Sequence, residues 1–106
     1  MDERAFEGLA AVALERIERA LEQSGVDADV ELKEGGVLEL EFPDGSRIIV
    51  NRHGAAREIW VAARSGGYHF RWDGSAWRDT RAGTELFAAL SKLVSAQSGT
   101  GVILSP

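Results

Sequence analysis

The hydrophobic positions of the first segment recur at steps of three and four, with Phe6, Leu9, Ala10, Ala13, Ile17 and Leu21 falling on one side of a helical turn. This spacing predicts a first helix over roughly 2–23. Ser24-Gly25 supplies its stop, and from Val26 to Glu34 the period changes to two: Val30 and Leu32 point one way, Asp29 and Glu31 the other. A first strand begins there. Five glycine-containing pairs, Gly35-Gly36, Asp44-Gly45, His53-Gly54, Gly66-Gly67 and Asp73-Gly74, then divide the chain at nearly even intervals. Between them lie Val37–Phe42, Arg47–Val50, Ile59–Val61 and Tyr68–Trp72, rich in β-branched and aromatic residues, and a short last strand is centred on Trp77. Helical spacing returns in Leu86, Phe87, Leu90, Leu93 and Val94, with Thr84 as the expected N-cap and Gly99 beyond the end, which predicts a second helix over roughly 84–97.

Two amphipathic helices bracketing six hairpin-connected strands have one compact arrangement. The fold class expected is α+β: a two-layer α/β sandwich, with both helices on one face of a six-stranded antiparallel sheet. The other face meets solvent, so if Ile59 and Val61 point to the helices, Trp60 points to water. The length of 106 residues suits a single domain, 1–106, and the polar stretch from Ser98 reads as a tail of little function.

Composition narrows the chemistry. With no cysteine there is no disulfide, thiolate metal site or thiol nucleophile, and any metal must be held by oxygen or imidazole. The N-terminus lacks the apolar stretch of a signal peptide, and no run reaches the ~18 apolar residues of a membrane span, so a cytoplasmic protein is expected. The formal charge of −5 is unevenly spread: residues 1–41 hold twelve of the seventeen acids and four of the twelve bases. So acidic an end repels nucleic acid and anionic membrane and attracts cations or a basic protein surface.

On the first helix Glu7, Glu15, Glu18 and Glu22 form a stripe away from the apolar face, with Arg16 and Arg19 beside it. Asp27, Asp29 and Glu31, two residues apart, follow on the first strand, gathering Glu18, Glu22, Asp27, Asp29 and Glu31 into one ridge. Carboxylates are hard ligands that suit iron, manganese, calcium or magnesium, and the candidate metal residues are Glu15, Glu18, Glu22, Asp27, Asp29 and Glu31. On a convex ridge they bind weakly and with sensitivity to salt. The same acids also guard an edge strand against aggregation. No EF-hand spacing, HExxH, GxSxG, P-loop or GxGxxG occurs, and His53 and His69 stand far apart in sequence. No side-chain set for covalent or acid–base catalysis emerges. Trp60 is expected beside Asn51, with Arg52 just beyond, as a protein-binding patch on the open face.

Several stretches in this order resemble the bacterial members of the frataxin family: Gly35-Gly36-Val37-Leu38, Phe42-Pro43-Asp44-Gly45-Ser46-Arg47-Ile48-Ile49-Val50-Asn51-Arg52, Ile59-Trp60-Val61-Ala62, and Gly66-Gly67-Tyr68-His69-Phe70 followed by Trp77. The resemblance covers almost the whole chain. It implies an α-β6-α fold and a protein that binds ferrous and ferric iron weakly at its acidic ridge. It also implies work in iron–sulfur cluster assembly, as an iron-responsive regulator or iron donor at the cysteine desulfurase and scaffold complex. The ridge, through Glu18 and Glu22, would dock on a basic patch of the desulfurase, while Asn51, Arg52 and Trp60 face the assembly machinery. A monomer that associates with iron is implied. Alternatives are a ferroxidase or iron-storage protein, and a metal-independent adaptor that uses Trp60. Arg19 and Gln23 stand at helix positions that can be acidic in the family, which implies a lower iron capacity.

Overall fold

A computed structural model describes all 106 residues. The elements are α1 (Glu3–Ser24), β1 (Asp29–Lys33), β2 (Val37–Glu41), β3 (Arg47–His53), β4 (Glu58–Ala63), β5 (Gly66–Trp72), β6 (Trp77–Asp79) and α2 (Leu86–Ser98). The strands form one antiparallel sheet in the order β1-β2-β3-β4-β5-β6, the arrangement expected from even turn spacing. No helix is long and apolar enough to cross a membrane.

Local chemistry sets the ends of the helices. Asp2 caps α1 by accepting the Ala5 N–H at 2.8 Å, and Gly25 closes it in the left-handed region at φ 72°, where a side chain would strain the backbone. For α2 the cap is Glu85 rather than Thr84: its carboxylate accepts from Phe87 N at 2.7 Å and Ala88 N at 3.1 Å. Thr84 is already committed, since its carbonyl accepts the Asp79 N–H at 2.9 Å and holds the segment against β6.

Strand alternation and helical spacing meet in one core. α1 contributes Phe6, Ala10, Leu14, Ile17 and Leu21; α2 contributes Leu86, Leu90 and Val94. Beneath them lie Leu38 and Leu40 of β2, Ile48 and Val50 of β3, Ile59 and Val61 of β4, Phe70 of β5 and Trp77 of β6. Phe6 meets Trp77 edge-on, with ring centroids 5.9 Å apart, tying the start of α1 to the far edge of the sheet.

The last residues depart from the sequence expectation. Val102 and Leu104 are buried, because two serines one helical turn apart on α2 strap the chain down. Ser95 Oγ accepts the Val102 N–H at 2.8 Å and Ser91 Oγ accepts the Leu104 N–H at 2.9 Å. The extended tail gets from α2 the backbone partners that no strand supplies. Truncating Leu104 to Ala is expected to lower unfolding stability by about 2 kcal/mol in urea denaturation, whereas a free tail would show no change.

Candidate functional site

The acids of the first forty residues form a surface band in which compensation is absent on one side and present on the other. No basic group lies within 4 Å of Glu7, Glu15, Glu18, Glu22, Asp27, Asp29 or Glu31. Glu15 and Arg19, spaced for a helical ion pair, do not make one. Across the β1–β2 ladder like charges stand directly opposite, Asp29 to Glu41 and Glu31 to Glu39. Such pairs destabilise a sheet. The β2 members are relieved: Lys33 Nζ reaches Glu39 at 2.9 Å, and Arg47 reaches Glu39 at 3.4 Å and Glu41 at 3.7 Å. The hydrogen bond from Lys33 holds the Glu39 carboxyl below its usual range, and Glu39 raises Lys33 in return. Asp29 and Glu31, on the edge strand, have no basic group in contact, and Glu31 meets the Lys33 charge only at longer range.

Two details of the ridge differ from the sequence reading. Asp27 precedes β1, in the connection from α1, where the alternation of exposed and half-buried residues already runs, so it is exposed like Asp29 and Glu31. It lines a hollow with Asp29, Glu41 and Phe42. The band also extends onto β2 through Glu39 and Glu41, which the register pairs with the two acids of β1. Alternation within Val37–Glu41, read against a hairpin at Gly35-Gly36, was the signal for them.

The donor set fits iron only as a surface-bound cargo. No three carboxylate or imidazole groups converge on a common point, so no cage is built in advance. Exposed carboxylates are the oxygen ligands and the source of negative field that loose, water-mediated binding of a hard cation would use.

On the outer sheet face Trp60 stands opposite Asn51, as expected, but it is not an open aromatic plate. His53 stacks on one side of the indole at 3.8 Å between ring centroids and His69 on the other at 4.5 Å, with interplanar angles of 15° and 9°. The two histidines, remote in sequence, are brought together by the register of β3, β4 and β5. Arg52 departs from expectation: it pairs with Ile59, a core residue, so it projects to the helix side of the sheet. There its stem occupies the space a Cβ on Gly36 would need, 2.6 Å away.

Glu58 organises this face and was not singled out by the sequence. Only 8% exposed, it accepts Trp60 Nε1–H at 2.8 Å and Arg71 Nε–H at 2.7 Å, and lies 3.4 Å from His69 Nδ1. Burial pushes its carboxyl up, but the bonds from Trp60 and Arg71 outweigh burial and hold it below the usual range. A carboxylate depressed in the folded state stabilises the fold above its unfolded value, and that contribution is lost as the pH falls through the folded value. The stability gap between the native chain and its Glu58→Gln variant is therefore expected to be constant near neutrality and to close below about pH 4. Urea denaturation across that range measures it; a gap unchanged into acid would mean that Glu58 carries no charge in the fold.

Comparison with known proteins agrees with this geometry. The model of the frataxin-like domain matches residues 1–100. The iron–sulfur cluster assembly protein CyaY of Dechloromonas aromatica is 59% identical over 104 residues, covering 98% of this chain and 99% of that protein. Among solved structures, frataxin from Psychromonas ingrahamii superimposes with a TM-score of 0.91 at 31% identity, over 100% of both chains. Trimeric yeast frataxin complexed with ferrous iron gives 0.67 at 26% identity, over 94% of this chain and 88% of that one. With the family model spanning nearly the whole sequence and the helix-covered six-stranded sheet in place, the chain belongs to the frataxin family.

Proposed function

We propose that this protein takes part in iron–sulfur cluster assembly as a non-enzymatic, iron-binding regulator or iron donor. Its ridge binds ferrous and ferric iron as cargo and docks on a basic patch of the cysteine desulfurase, while the Trp60 face turns toward the scaffold protein. The observation that carries the reading is the uncompensated band on α1 and β1, where seven acids lack a basic partner within 4 Å although arginines are plentiful elsewhere. Leaving like charges unpaired costs roughly 0.2–0.5 kcal/mol for each helical neighbour pair, a cost that a binding role accounts for and a stabilising role does not. The name carried by the Dechloromonas relative and the ferrous complex of the yeast one support the same conclusion.

The residues assigned to iron are Glu15, Glu18, Glu22, Asp27, Asp29 and Glu31. Those assigned to partners are Glu18 and Glu22 for the desulfurase and Asn51 and Trp60 for the scaffold side. Arg52, turned to the helix side, meets a partner only from the β1–β2 hairpin end. The protein works as a monomeric single domain, 1–106, that can associate when iron binds, and the bacterial origin of the relatives supports the cytoplasm as its location.

An anaerobic ferrous titration followed by amide NMR, with magnesium as control, tests the ridge. Signals from 15–31 are expected to broaden with iron at lower concentration than with magnesium; equal responses would reduce the ridge to a protein-docking surface. Reversing Glu18 and Glu22 to Lys is expected to lower desulfurase affinity by at least about tenfold at low salt. Full affinity in that variant would remove the ridge from the docking interface.

A further inference from the structure

Between β3 and β6 the outer sheet face is balanced in charge except at two side chains. Glu58 is matched by Arg71 at 2.7 Å, Asp73 by Arg78 at 3.0 Å, and Arg47 is taken up by Glu39 and Glu41. His53 and His69 remain, one on each face of the Trp60 indole. Histidine is the side chain whose charge changes near neutrality, so each imidazole that takes up a proton adds a positive charge to this face, and only His69 has a carboxylate, that of Glu58, within 4 Å. Stacked against an indole, that charge also gains a cation–π contact.

We propose that the His53–Trp60–His69 stack is a proton-controlled docking surface for a carboxylate-bearing segment of a protein partner. The inference rests on the reading that the Trp60 face docks on the assembly scaffold, and adds the chemistry of the docked segment and its control. With both indole faces covered and Nε1 held by Glu58, Trp60 offers a partner its ring edge, and the imidazole edges beside it supply the polar contacts. His53 Nδ1 accepts the Ala56 N–H at 3.3 Å, so the neutral ring carries its proton on the outward Nε2, and a second proton enters at Nδ1 in place of that bond. His69 Nδ1 faces Glu58 Oε1 at 3.4 Å, an ion pair once the ring is charged.

The charged surroundings of each imidazole are few. Around His69 they are Glu58 on β4, Arg71 on β5, Arg78 on β6 and, across a small hollow, Tyr68, Asp79 and Arg81. Around His53 they are Glu58 opposite, Arg52 beside it, Arg57 in the turn, and Glu3 of α1 near Gly54. Of these, Glu58 is paired and buried. The stack is therefore the place where proton uptake adds to the positive charge that a partner meets.

The test measures the affinity of the full chain for the scaffold protein at about pH 6 and about pH 8, for the native protein, the double variant His53→Gln/His69→Gln, and Trp60→Ala. The native protein is expected to bind more tightly at the lower pH by roughly threefold per imidazole, and the double variant to stay at the weaker level at both. An oligoglutamate peptide is expected to compete at the lower pH, and an oligoglutamine peptide is not. Thermal melts and the Trp60 indole N–H signal check that the Gln variants keep the fold and the stack. A pH dependence that survives in the double variant, or competition by both peptides alike, overturns proton control while leaving docking at Trp60 intact. Unchanged affinity in Trp60→Ala at both pH values overturns the docking reading itself.

Discussion

The covering of one sheet face by α1 and α2 is the constraint on which everything else depends. Phe6, Leu14 and Ile17 from one helix and Leu86 and Leu90 from the other sit on Leu38, Leu40, Ile48, Val50, Ile59, Val61 and Phe70. Because strand residues alternate strictly, burying these commits every intervening residue to the opposite face. Trp60, Glu58, His53 and His69 are outward for no reason of their own; they are neighbours in register of residues that had to go in. The magnitudes show why the core can also carry an unfavourable surface. Each large apolar side chain contributes about 1.5–3 kcal/mol on burial, against a few tenths for a like-charged helical pair. A handful of core residues on α1 offsets the whole acidic stripe on its other side.

The surface that results is sorted by charge across the sheet. At the β1 edge and on α1 the acids are bare; on β2 they are met by Lys33 and Arg47; between β4 and β6 Glu58 and Asp73 each have an arginine, and Asp79 accepts backbone N–H groups. A long-range field therefore leaves the molecule from one side only, which favours approach of a cation or a basic surface to α1 and β1. The other side is short-ranged in its interactions, with a stacked aromatic centre held by one buried carboxylate. The two faces suit two different kinds of contact.

At the C-terminal helix and beyond it, competing hydrogen bonds are the reason the structure departs from the sequence expectation. Thr84 is a better N-cap than Glu85 in isolation, yet its carbonyl is held by Asp79, so the helix begins one residue later with a carboxylate cap. The segment after Ser98 has the composition of a loose tail, but Ser91 and Ser95 pair with its backbone and let Val102 and Leu104 reach the core. Gln97, polar and near a helix end, is buried because it accepts from Arg64 N and donates to Arg47 O and Ser46 Oγ, joining α2 to the start of β3 and to the turn before β5.

The sequence by itself determined the elements, their order, the face each strand turns inward, and the acidity of α1 and β1. All of these follow from period, turn chemistry and charge within a few residues of one another. Only the tertiary structure decided which distant residues share a surface. Pairing β3, β4 and β5 set His53 and His69 on either side of Trp60, residues separated by sixteen positions in the chain and by one ring in space. The same register set Glu58 opposite His53 and Arg71, and it placed Glu39 and Glu41 opposite Glu31 and Asp29. Such neighbours are fixed by strand register, which depends on the whole buried face fitting at once and so is not written in any one segment.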